Sequence, residues 1–181
     1  MFVQKELREK NIAEYLLYMW QVEDMIHAAG LDSDRLYEAV IKVSGRSDDE
    51  CREWKQWYDD LIEMMRAEGK TLQGHLQINE NVLVLLDDLH TRLLNSHKQP
   101  EYRDLYYKAL PFIVEFRAKN HSTENEELRD CFNMLYGVWL LRVQGKEVSA
   151  STAQAVKAVS AFIGKLAMLY REDKAGTLEI E

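Results

Sequence analysis

LQINENVLVLLDDLHTRLL, residues 76–94, is the most continuously apolar run in the chain, and its reading decides the fold. Wound at about 100° per residue, Ile78, Val82, Leu85, Leu86, Leu89 and Leu93 form one stripe, and Leu76, Leu83 and Leu94 widen it. A helix apolar over nearly half its circumference is expected to be surrounded by others. The segment therefore reads as the central helix of an all-α domain. Asn79 and His90 project into the same arc, so each needs a hydrogen-bond partner if the arc is buried.

Outward from this segment, the scarcity of chain breakers favours long helices over a many-turned β fold: 8 glycines and 2 prolines in 181 residues. The spacing predicts a first helix from Gln4 to Ala29 with Ile12, Tyr15, Leu16, Met19, Val22 and Ile26 inward, stopped by Gly30. A short second helix follows Asp32 or Ser33 and ends by Gly45. Ser47 and Glu50 have capping-box spacing and open a third helix to Glu68, with Cys51, Trp54, Trp57, Tyr58, Leu61, Ile62, Met64 and Met65 on its stripe. A fifth helix runs through Tyr102, Tyr106, Ala109, Phe112 and Phe116, and Pro111 inside it predicts a kink or break near Leu110. Thr123 and Glu126 suggest another capping box before a sixth helix with Leu128, Cys131, Phe132, Leu135, Val138, Trp139 and Val143 inward. The seventh carries Val156, Val159, Ile163, Leu166 and Tyr170, with small residues Ala153, Ser160, Gly164 and Ala167 beside them. The expectation is one all-α domain, residues 1–170, a bundle of about six or seven helices around the central one. Residues 171–181 read as a loosely ordered tail.

The net charge of −8 argues against a nucleic-acid backbone or an anionic membrane as main partner, since either demands a basic surface. No signal-type apolar core follows the first residues, and no run is long enough for a transmembrane helix. Cys51 and Cys131, without CxxC spacing, read as reduced core thiols of a cytoplasmic protein.

Glu23 and Arg142 each interrupt an apolar face near its centre. A buried charge without a partner costs several kcal/mol, so the two are expected to meet each other or another compensating group. That contact would be a structural ion pair fixing helix register, or a polar pocket in which Arg142 holds an anionic ligand and Glu23 orients it. His90 joins them as a ligand-binding candidate. Asp24 with His27 and Asp87 with His90 have the spacing of one-sided helical ligand pairs. With 31 acidic residues and 5 histidines in the chain, about one such pair arises by chance, so no metal and no cofactor is expected. No nucleophile elbow, phosphate loop or dinucleotide fingerprint is present. His75 and His121 fall in loops and read as solvated.

KNIAEYLLYMWQVED at 10–24, GHLQIN at 74–79, LPFIVEFRAK at 110–119 and CFNMLYGVWLLRVQ at 131–144 resemble an uncharacterised bacterial family known only as a domain of unknown function. The resemblance spans nearly the whole chain and implies a bacterial, cytoplasmic, helical protein without assigning catalytic residues. The leading expectation is a non-enzymatic interaction or scaffold protein acting through helix faces, with a homodimer as the closed assembly. The alternative is a small-molecule binding protein or enzyme with an interhelical pocket using Glu23, His90 and Arg142.

Overall fold

The computed structural model describes residues 3–121 and 126–180 and is all-α. Among the described residues there are eight α-helices: α1 (Val3–Lys10), α2 (Ile12–Ala28), α3 (Ser33–Leu36), α4 (Asp48–Ala67), α5 (Gln77–Asn95), α6 (Pro100–Asn120), α7 (Glu127–Val143) and α8 (Ala150–Lys174). A π turn at Tyr37–Ile41 and a 3-10 turn at Lys42–Ser44 follow α3.

The first expected helix is two. The Asn11 side-chain oxygen accepts from the backbone N–H groups of Ala13 and Glu14 at 3.1 and 3.2 Å, so the residue caps a new helix instead of continuing the old one. At Ser47 the expected capping box is complete: Glu50 N–H donates to Ser47 Oγ, and the Glu50 carboxylate accepts from Ser47 N–H at 3.0 Å. The proposed box at residues 123–126 falls mostly on residues outside the described ones. α6 runs unbroken through Pro111. The ring is exposed, and the carbonyl it deprives of a donor, on Tyr107, belongs to a residue that is itself 62% exposed, so water can take the place of the lost bond.

By its contacts the chain divides into two compact units, residues 18–81 and residues 1–17 with 82–181. In the first, α4 packs on α3 and the π turn, and Tyr58, Leu61, Ile62 and Met65 point from it into buried positions. In the second, α6, α7 and α8 pack on one another, burying Tyr102 and Ile113 from α6, Cys131 and Phe132 from α7, and Phe162 and Leu166 from α8. α8 extends through Lys174, four residues into the segment expected as tail. Arg92 from α5 holds it there, donating to both Asp173 oxygens at 3.0 and 2.7 Å.

The central stripe is rotated from its expected position. The buried arc of α5 is Asn79, Val82, Leu83, Leu86, Leu89, His90 and Leu93. Ile78 and Leu85, expected inward, are 38% and 49% exposed. The reason is polar: Asn79 and His90 both find buried partners, described below, and turning them inward turns Ile78 and Leu85 out.

Removing the cap oxygen tests the local assignment at α4. Ser47→Ala should lower unfolding free energy by about 1 kcal/mol in urea melts at neutral pH, with the denaturant slope unchanged.

Candidate functional site

Glu23 lies on the apolar stripe of α2, with Met19, Val22 and Ile26, and is fully buried. Three donors converge on it. His75 Nδ1 lies 2.6 Å from Oε2, while the Leu76 backbone N–H at 2.9 Å and the Asn79 side-chain amide at 2.7 Å both donate to Oε1. A carboxylate so placed caps α5 from another helix, because the first N–H groups of a helix lack internal acceptors and its positive dipole end favours an anion. Glu68 does the same from the end of α4, accepting from Gln77 N–H at 2.8 Å. Asn79 and Glu80 N–H groups return to the Leu76 carbonyl.

His75 is thereby more than a loop residue. Its ring stacks on Trp20 at 4.4 Å and 12°, and its side chain is 24% exposed. The bond from Nδ1–H to Glu23 fixes the tautomer and leaves Nε2 as an available acceptor. This arrangement can accept a hydrogen bond from a ligand at Nε2. The loop leading into it is tied down as well, since His27 Nε2 meets the Lys70 carbonyl at 2.8 Å.

A second polar cluster lies in the other unit. His90 is buried between aromatic rings, with Tyr106 at 5.1 Å and Phe162 at 5.6 Å. Its Nδ1 sits 2.6 Å from Tyr102 Oη, and its Nε2 sits 3.4 Å from Glu127 Oε1. If Tyr102 O–H donates to Nδ1, Nε2–H remains for Glu127. Arg117 completes the network, donating to Glu127 at 3.2 Å and to Asp130 at 3.3 Å. Burial by itself raises the Glu127 pKa, but hydrogen bonds from His90 and Tyr106, the His90 charge and Arg117 outweigh it and hold the group below its ordinary value. Tyr106 is pushed up to about 12 by burial and then by the Glu127 charge. Burial, followed by the charges of Glu127 and Asp130, drives the Cys131 thiol well upward.

The expected site residues each have their own surroundings. Glu23 takes its partners from His75, Leu76 and Asn79, and Arg142 is exposed in the last turn of α7. Of the two outcomes expected for Glu23, it meets other compensating groups, within its own unit, while the arginine bonded to Glu127 and Asp130 is Arg117. Its signal in the sequence is weak, because Arg117 stands between the charged residues Glu115 and Lys119 near the end of α6. The α7 face misled for a related reason. Leu128, Cys131, Phe132 and Val138 are buried as expected, but Trp139 is 38% and Val143 65% exposed where the helix reaches solvent. Tyr136 stacks on Trp139 at 5.6 Å and 18°. Asp24 is exposed, and among the described residues no group of three or more His, Cys, Asp and Glu could hold a metal ion. Both cysteines are free and buried. No helix among the described residues is long and apolar enough to cross a membrane.

Two predictions follow from these bonds. Glu23→Ala strands three buried or half-buried donors at once and should cost about 3 kcal/mol or more in chemical denaturation, well beyond an exposed control such as Glu63→Ala. Glu127 has a folded pKa below its unfolded one, so its contribution is complete above about pH 4.3 and is lost as pH falls through the folded value. Asp87, raised by burial, slopes the other way. In a pH series of urea melts, Glu127→Gln should flatten the acid limb.

A family profile described as Domain of unknown function (DUF4924) matches residues 1–177. No curated protein and no solved structure matches the chain. With all but the last four of its residues covered, the chain belongs to the DUF4924 family of uncharacterised proteins.

Proposed function

We propose that this protein is a non-enzymatic interaction protein of the bacterial cytoplasm, a scaffold that presents helix faces to a protein partner. The observation that carries the reading is the stripe Tyr136, Trp139, Leu140 and Val143 on the second half of α7. These positions are spaced i, i+3, i+4, i+7, and the stacked Trp139 and the largely exposed Val143 stand in solvent. A partner's amphipathic helix recognises anchors at that spacing, and tryptophan is the commonest anchor by energy. Arg142 and Lys146 flank the stripe in a chain of net charge −8, which favours an acidic partner helix. The two buried polar clusters support the reading from the other side, since their carboxylates are spent on groups of the chain itself.

One observation favours the second reading, a small-molecule site. The buried Glu23 carboxylate orients a half-exposed imidazole, His75, and leaves Nε2 for a ligand. On that reading His75 takes the place of His90 and Arg142 beside Glu23.

Affinity purification from the native host separates them. Trp139→Ala with Val143→Glu should keep the helical far-UV spectrum and lose a stoichiometric companion by about tenfold or more, while His75→Ala keeps it. Equal recovery by the stripe variant, or no companion with the unaltered protein, removes the scaffold reading. A small molecule that native mass spectrometry finds on the unaltered protein but not on His75→Ala would install the second.

A further inference from the structure

α2 ends at Ala28, the chain reverses through Gly30 and Leu31 at φ 70° and 58°, and α3 passes at once into the π turn. The wider turn, closed by Lys42 N–H on the Tyr37 carbonyl, sets Ala39 and Val40 beside Met25 and Ala28. Together they floor an open groove of about 600 Å³. The floor is apolar and made largely of small side chains, with Ala28 and Ala39 exposed, so a second surface can approach its backbone closely.

The rim carries one charge of each sign. Arg35 and Glu38 both line the groove. Arg35 contacts the Ala29 carbonyl at 3.4 Å, a long bond that leaves most of its guanidinium donors to solvent. Glu38 is bonded to Lys42 at 2.8 Å, but both side chains are about 60% exposed, and an exposed i, i+4 pair holds its partners only weakly. The nearby Asp34 is engaged by Lys55 at 3.2 Å. The groove is thus locally balanced in a chain whose net charge would otherwise keep two copies apart.

An apolar floor with an arginine and a glutamate on its rim is self-complementary, which is the condition for a closed two-fold contact. We infer that this groove is the homodimer interface, with a second copy of the chain as its occupant. The two floors of Ala28, Ala39, Val40 and Met25 meet across the axis, and Arg35 of each protomer faces the carboxylate of Glu38 on the other. The groove shares no residue with the α7 stripe, so the dimer and the scaffold reading stand or fall on different measurements.

The test is a charge exchange read by sedimentation equilibrium on the full chain. The unaltered protein should be a dimer at micromolar concentration. Glu38→Arg puts two arginines against each other and Arg35→Glu two glutamates, and each should weaken dimerisation by about tenfold or more. The double variant Arg35→Glu with Glu38→Arg restores opposite charges and should return the dissociation constant to within about threefold of the original. Ala39→Trp, which fills the groove from its floor, should give a folded monomer by circular dichroism. A monomeric unaltered protein overturns the inference outright. A dimer indifferent to both single exchanges and to Ala39→Trp overturns the assignment of this surface, as does a double variant no better than the worse single one.

Discussion

Much of residues 18–81 hangs on one buried carboxylate. Glu23 has no exposure to water, so it must be answered within the chain, and the start of α5 answers it with a backbone amide, a side-chain amide and an imidazole. The exchange is mutual. A helix beginning in the interior needs an acceptor for its orphan N–H groups, and a carboxylate in the interior needs donors. Their meeting fixes where α5 starts and how it is rotated, because Asn79 must face Glu23. Ile78 and Leu85 then face outward whatever their hydropathy. A single polar requirement thus outranks two apolar side chains whose burial would be worth roughly 1.5–3 kcal/mol each.

The other unit uses the same logic with more members. Tyr102, His90, Glu127, Arg117 and Asp130 link α5, α6 and α7 through contacts of 2.6–3.4 Å. Each member is satisfied by the next, so the network specifies a particular arrangement of three helices where hydrophobic contacts alone would tolerate sliding. Aromatic rings from α6 and α8 wall in His90, while Arg117 and Glu127 at the other end of the network keep partial exposure.

The helices themselves were legible from periodicity and caps. Ser47 with Glu50 and Gly30 as a stop stand where the sequence places them, since these are local signals read within a few residues. Glu23 was legible as a problem, a charge on an apolar stripe, but its solution was not. The partners lie 52 to 56 residues away in a loop and at a helix start, and nothing local marks His75 as different from any solvated histidine. Arg142 failed for the opposite reason: its stripe is apolar, but the last turn of α7 runs into solvent, and periodicity cannot tell a core face from an open one. The split of the first helix at Asn11 hinged on a side-chain oxygen choosing its own backbone, a competition that hydropathy does not record.

Cys51 and Cys131 are both reduced and buried, and they lie one in each compact unit. Neither thiol can meet an alkylating reagent until the structure around it opens. The natural sequence therefore carries two internal clocks, each reporting the opening of its own half of the molecule, with no engineered label required. Comparing their rates of modification would show whether the halves come apart as one cooperative body or as two.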